Sequence, residues 1–127
     1  MNCPEEIWIT DTTFRDGQQS RSPYTEEQIV ELFKMLHKLG GDKGIIRQSE
    51  FFLYSEKDRK AVEMCQNLGY DFPEVTSWIR ANENDFQLVK SMNILIVGFM
   101  LCYQSAEEMS EWKAHIQGTE PAASKTF

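Results

Sequence analysis

Ile9-Thr10-Asp11-Thr12-Thr13-Phe14-Arg15-Asp16-Gly17-Gln18-Gln19 follows directly on the apolar pair Ile7 and Trp8. The reading is a short strand, Glu6 to Thr10, that runs out into a polar loop. Arg15 and Asp16 then stand side by side at the C-terminal end of that strand. A guanidinium there can polarise a carbonyl oxygen, and a carboxylate beside it can take a metal ion.

The chain beyond the loop alternates helix and strand. Thr25-Glu26-Glu27-Gln28 is a capping box, in which Thr25 caps and Gln28 reaches back. Ile29, Leu32, Phe33, Leu36 and Leu39 then recur at helical spacing, and Gly40-Gly41 ends the helix. A second strand is expected over Gly44 to Gln48. Ser55 with Asp58 opens a second helix with Ala61, Val62, Cys65 and Leu68 on its apolar face, and Gly69 stops it. Phe72 to Ile79 reads as a third strand, with Pro73 at its start, where proline is tolerated. Asn82 caps a third helix carrying Phe86, Val89 and Met92. Ile94 to Leu101 reads as a fourth, fully buried strand. Ser105-Ala106-Glu107-Glu108 opens a last helix with Met109, Trp112 and Ile116, ended by Gly118. Thr119 to Phe127 reads as a frayed tail.

Four consecutive βα units predict an α/β fold with a parallel sheet and right-handed crossovers. The sheet could be open and doubly wound, or part of a (β/α)8 barrel, and spacing alone does not choose. A barrel takes eight units and about 250 residues, against 127 here.

Composition sets broader bounds. The chain is 41% hydrophobic and 26% charged, as in a globular protein. A net charge of -7 without a Lys/Arg cluster argues against nucleic-acid binding. The acidic opening Met1 to Glu6 does not read as a signal peptide. The apolar run Ile94 to Cys102 is far shorter than the ~20 residues of a membrane helix. Cys3, Cys65 and Cys102 are unpaired in spacing, which reads as reduced thiols in a cytoplasmic protein.

On either closure the site forms at the C-terminal ends of the strands. Arg15, Asp16 and Gln19 follow the first, Gln48 and Glu50 the second, and Arg80 and Asn82 the third. Each has a plainer reading. Arg15-Asp16 could be a solvated pair, Glu50 a turn cap before Phe51-Phe52-Leu53, and Arg80-Ala81-Asn82 only the opening of a helix. Their shared placement favours function. His37 reads as a surface residue, and His115 has no partner at ligand spacing. Trp8, Trp78 and Trp112 read as packing residues, in the core or between helices.

The stretch from Asp11 to Gln19 resembles the strand-one signature of the DRE-TIM metallolyase superfamily. That superfamily includes 2-isopropylmalate and homocitrate synthases, 3-hydroxy-3-methylglutaryl-CoA lyase and the carboxyltransferase domain of pyruvate carboxylase. Glu50 matches the family's glutamate, and Arg80-Ala81-Asn82 with Asp85 is similar to the segment after strand three in the synthase branch. The resemblance runs from about residue 7 to residue 90. It implies the N-terminal half of a (β/α)8 TIM barrel, with residues 1–118 as a partial carboxyltransferase-like domain and 119–127 as a flexible tail.

It further implies an acyltransferase or lyase that makes or breaks a C–C bond through an enolate of a 2-oxo acid or acyl-CoA, with acetyl-CoA as a co-substrate. Asp16 would ligate Mg²⁺, Mn²⁺ or Zn²⁺, and Arg15 would steady the enolate oxygen. Glu50 would orient Arg15 or another site residue, Gln19 would contact substrate or support a residue that does, and Arg80 would contact substrate. The family completes its metal site with a His-x-His pair, and His37 and His115 do not form one. The expectation is therefore an incomplete site, finished by a homo-oligomer or a complementary C-terminal half. The competing expectation is a non-catalytic or vestigial α/β domain that acts by binding.

Overall fold

Three polar side chains start the three helices. Thr25 Oγ1 accepts from the Gln28 amide at 3.2 Å while Gln28 Oε1 accepts from the Thr25 amide at 3.0 Å, closing the expected capping box. Ser55 Oγ accepts from the Asp58 amide at 3.1 Å, and Asn82 Oδ1 from the Asp85 amide at 2.9 Å. The computed structural model describes residues 4–19 and 22–100, with the backbone alone at 99 and 100. The elements are β1 (Ile9–Asp11), a 3-10 turn (Asp16–Gln18), α1 (Glu26–Gly40), β2 (Ile46–Phe51), α2 (Glu56–Gln66), β3 (Glu74–Arg80), α3 (Glu83–Ser91) and β4 (Val97–Met100). The expected fourth helix and tail fall outside the described residues.

The strands form one parallel sheet in the order β1-β2-β3-β4. That order decides between the two closures. A doubly wound sheet reverses its strand order once, which sends helices to both faces. Here each strand lies beside its predecessor, and right-handed crossovers then put every helix on one face. This is the arrangement of the N-terminal half of a (β/α)8 barrel.

The two faces of the sheet differ accordingly. Phe51 pairs with Ser77, and Ser77 with Val97, so these residues and Ile79 share the helix face. Phe14, Phe33 and Phe51 meet there, with Phe14 and Phe51 stacked at 4.7 Å and Phe33 and Phe51 tilted at 6.1 Å. Ile29, Val30, Ala61, Val62, Cys65, Ile79 and Val89 complete this core. Burial pushes the Cys65 thiol up to about 12. Glu50 pairs with Thr76, and Trp78 with Gly98, so these four look out from the opposite face. That face is the inner wall of the barrel.

Several expectations are corrected. β1 starts at Ile9 rather than Glu6, and Ile7 and Trp8 remain 68% and 60% exposed at the sheet edge. β2 begins two residues late because Gly44 adopts φ +58°, off the strand conformation, and it runs on to Phe51. Gln48 and Glu50 therefore lie within the strand rather than after it. Pro73, in a cis peptide bond, precedes β3, which extends to Arg80. The fourth strand is not fully buried: β4 covers only Val97–Met100, and Leu95 is 94% exposed.

Leu39 stands 77% exposed, so the apolar face of α1 is wider than its core contact. It lines an open groove with Thr13, Leu32, Met35 and Leu36. His37 is half-buried rather than a free surface group, stacked on Tyr70 at 3.8 Å with Nδ1 2.6 Å from the Phe72 carbonyl oxygen. Trp8 and Trp78 lie outside the core, each against an arginine rather than a hydrophobic wall. Trp112 and His115 lie outside the described residues.

Candidate active site

The loop after β1 is bent by the last residue of that strand. Asp11 Oδ1 accepts from the hydroxyl and the amide of Thr13, and its Oδ2 accepts from Ser49 Oγ at 2.7 Å. One carboxylate thus turns the chain and ties β1 to β2. The Arg15 and Gly17 amides both donate to the Thr12 carbonyl, at 3.1 and 3.2 Å. Gln18 closes the loop, donating to the Phe14 carbonyl at 2.8 Å and accepting from the Tyr24 amide at 3.1 Å. Phe14, 1% exposed, plugs the loop into the helix-side core and leaves its neighbour Arg15 to cross the other face.

There Arg15 Nε lies 2.7 Å from Glu50 Oε2, and Nη2 lies 3.0 Å from Asp16 Oδ2. The Arg15 and Glu50 side chains are 17% and 16% exposed, and Asp16 is 50% exposed. The Glu50 contact is one of charge rather than direction. Neither Arg15 Nε nor Glu50 Oε2 makes a hydrogen bond among the described residues, although both atoms are buried. Gln19 Nε2 donates to Asp16 Oδ1 at 3.3 Å. The structure therefore gathers Arg15, Asp16, Gln19 and Glu50 in one place at the C-terminal end of the sheet.

Arg80 stands apart from this cluster. Its backbone amide, Nε and Nη2 all donate to the Asp85 carboxylate, at 3.1, 3.0 and 2.9 Å. These bonds, and the amide bond from Asn82, secure the first turn of α3. The Arg80 donors hold the Asp85 carboxyl below its ordinary range. The Arg80 side chain remains 60% exposed, so one face of the guanidinium is open to solvent.

Three residues of this region went unread in the sequence as site components. Asp11 and Ser49 build the loop, and Trp78 lies beneath Arg15, whose Cζ is 4.2 Å from the ring centroid. Its place on the third strand, two residues before Arg80, did not distinguish Trp78 from a core tryptophan.

The donors present fall short of the expected metal site. No group of three or more His, Cys, Asp or Glu side chains is gathered for a metal among the described residues. Asp16 is the half-exposed carboxylate of the cluster, whereas Mg²⁺ asks for about six oxygen ligands. The described residues alone do not make a divalent-cation site. None of the described helices is long and apolar enough to cross a membrane.

No protein-family model matches the chain. It is 58% identical over 101 residues to a citrate (Re)-synthase of Clostridium kluyveri, covering 80% of this chain and 22% of that protein. It is 59% identical over 96 residues to a citrate (Re)-synthase of Syntrophus aciditrophicus, covering 76% of this chain and 15% of that protein. A 2-phosphinomethylmalate synthase of Streptomyces hygroscopicus is 34% identical over 102 residues, or 79% of this chain and 23% of that protein. The chain spans about a fifth of the length of the curated relatives it matches.

Proposed function

Because the chain belongs to the DRE-TIM metallolyase superfamily, we propose that it supplies the Arg15–Asp16–Glu50 part of the active site of a synthase that joins an acyl-CoA to a 2-oxo acid. The carrying observation is the Arg15 guanidinium held between Asp16 and Glu50 at the C-terminal end of β1 and β2. Joining carbon to carbon beside a carbonyl needs an enolate, and a fixed guanidinium stabilises the negative charge that develops on oxygen. Glu50 balances the charge of Arg15 at its Nε edge. Gln19 and Asp16 line the same loop, with Gln19 as a substrate contact.

The relatives' products narrow the acceptor. Citrate is malate bearing a carboxymethyl group at C2, and 2-phosphinomethylmalate bears a phosphinomethyl group there. Both are what an acetyl unit yields when its methyl carbon, as the enolate, attacks the keto carbon of a 2-oxo acid with a second acidic arm. The methyl carbon gives up a proton to form the enolate, the keto oxygen takes one and becomes the C2 hydroxyl, and water then cleaves the thioester to leave the new carboxylate and the free CoA thiol. The acceptor proposed for this chain is accordingly oxaloacetate, with acetyl-CoA as donor. Arg80, exposed at the end of β3, is the cation assigned to the second carboxylate.

Asp16 is the ligand this chain would offer a divalent cation. The remaining ligands are proposed to come from a complementary C-terminal half or from a second copy.

The test is a Mn²⁺ titration of the purified chain beside Asp16→Ala, followed by thiol release from acetyl-CoA with oxaloacetate. The chain alone is expected to bind Mn²⁺ weakly and to turn over slowly. A complementary half is expected to restore both, Asp16→Ala to abolish both, and Arg15→Ala to abolish turnover. Robust citrate formation by the isolated chain would refute the shared site. Activity that survives Arg15→Ala in the completed protein would refute the assignment of Arg15.

A further inference from the structure

Arg15 reaches the inner wall with two carboxylates at its edges, and what holds its plane is a different residue. The Arg15 Cζ lies 4.2 Å from the centroid of the Trp78 ring. Trp78 is paired with Gly98 across β3 and β4, and the indole fills the space over that glycine: a Cβ at position 98 would run into the Trp78 ring. Gly98, Trp78 and Arg15 thus lie in succession on the inner wall. The ion pairs with Glu50 and Asp16 lie at Nε and Nη2, and no hydrogen bond from Nη1 to a described residue accompanies them.

We propose that Trp78, seated on Gly98, is a positioning residue that sets the plane of the Arg15 guanidinium and aims its free Nη1 edge across the inner wall. The claim rests on the synthase reading only for what Arg15 acts upon. The physical case has two parts. Charge contact alone leaves the Arg15–Glu50 pair without a hydrogen-bond direction, so it does not define an orientation. A flat indole does, because a guanidinium prefers to lie over an aromatic face. The indole also carries no charge. A third carboxylate in its place would hold Arg15 as firmly but would cancel the field the enolate needs, since Asp16 and Glu50 already outnumber Arg15 in charge. Gly98 has its own role: its missing side chain leaves the space the indole fills.

The experiment observes Arg15 directly, without turnover. In the ¹⁵N-labelled chain the Arg15 Nε–H signal is assigned by its loss in Arg15→Lys. Arg47 also lies over aromatic rings, those of Trp8 and Phe72, so Trp8→Phe serves as the control. The Arg15 Nε–H proton is expected upfield of an ordinary arginine through the indole ring current. It should return to the ordinary position in Trp78→Leu, keep part of its displacement in Trp78→Phe, and stay put in Trp8→Phe. Gly98→Ala pushes the indole away and should move the signal as Trp78→Leu does. An Arg15 signal at the ordinary position in the wild type overturns the proposal, as does one that Trp78→Leu leaves in place. If Trp78→Leu does not fold, Trp78→Phe and Gly98→Ala decide instead, and a signal that neither of them moves overturns the proposal.

In the completed synthase, Trp78→Leu should lower kcat about tenfold, the scale of a cation–π contact removed from water. KM for acetyl-CoA should stay unchanged, and Trp78→Phe should recover part of the loss. A displaced Arg15 signal with unchanged kcat overturns the positioning role. Absent citrate formation in the wild type would instead overturn the synthase reading and leave the spectroscopic result standing.

Discussion

Phe14→Ala is the perturbation that most directly tests how the site loop is anchored. Phe14 is 1% exposed and stacks on Phe51 with centroids 4.7 Å apart and planes at 16°. Truncating a fully buried phenylalanine costs about 3–5 kcal/mol, of which the stacked pair contributes about 0.5–1.5. A domain has about 5–15 kcal/mol in total, so the variant should be folded but marginal. With a urea slope of about 2 kcal/mol per molar, a loss of about 4 kcal/mol lowers the midpoint by about 2 M. Phe14→Leu keeps most of the volume and should cost less than about 1.5 kcal/mol. The assay is urea unfolding followed by far-UV circular dichroism, with the Arg15 side-chain resonance read in parallel. In Phe14→Ala that resonance should sharpen and lose its displacement even below the transition, because the neighbouring backbone has lost its plug. A midpoint within about 0.5 M of wild type, with the Arg15 signal unmoved, would refute the idea that the core holds the loop.

The remaining predictions concern the caps, the thiol and the open face. Asp85→Asn removes the charge that three Arg80 donors address and should destabilise the chain by about 1–2 kcal/mol at pH 7. The folded Asp85 carboxyl lies below its unfolded value of about 3.9. Its contribution is therefore complete above about pH 4 and fades as acid titrates it through the lower folded value. The difference between wild type and Asp85→Asn should shrink on that acid limb in paired urea titrations. Cys65 should resist a thiol reagent in the native chain and react only at the rate of unfolding, read in a Cys3→Ser, Cys102→Ser background. Leu39→Glu, at a 77% exposed site, should leave the urea midpoint within about 0.5 kcal/mol of wild type. A core-sized loss there would mean that the α1 groove is covered in the folded chain.

Much of the fold was legible because its signals are local. The caps at Thr25, Ser55 and Asn82 are set by residues three apart, and all three form as read. Strand limits were less legible because they depend on partners distant in sequence. The start of β2 moved when Gly44 took a positive φ, and β4 begins only at Val97, which leaves Leu95 exposed ahead of it. The choice of barrel over doubly wound sheet rested on strand order, which no spacing encodes. In the site, the meeting of Arg15 with Asp16 could be read from adjacency and that with Glu50 from the family signature. Trp78 could not, because tryptophan on a strand is ordinarily a core residue. Only the pairing of Trp78 with Gly98 shows the indole on the inner wall. Arg80 reads equally well as a site cation and as the opening of a helix, and its bonds to Asp85 show the second role directly.

The pairing of β1 with β2 skips a residue: Ile9 lies opposite Ile46, but Thr10 lies opposite Gln48, with Arg47 left over. Side chains alternate along a strand, so that one surplus residue reverses the parity of everything after it relative to β1. Glu50 reaches the inner wall and Phe51 the oily one because the count is odd at Arg47. The strand therefore tolerates a change of letter far better than a change of length. Removing one residue upstream would exchange the places of an anion and an aromatic ring without altering either. Length variation between relatives should accordingly collect in the turns on either side of β2 and leave Arg47 to Phe51 uninterrupted.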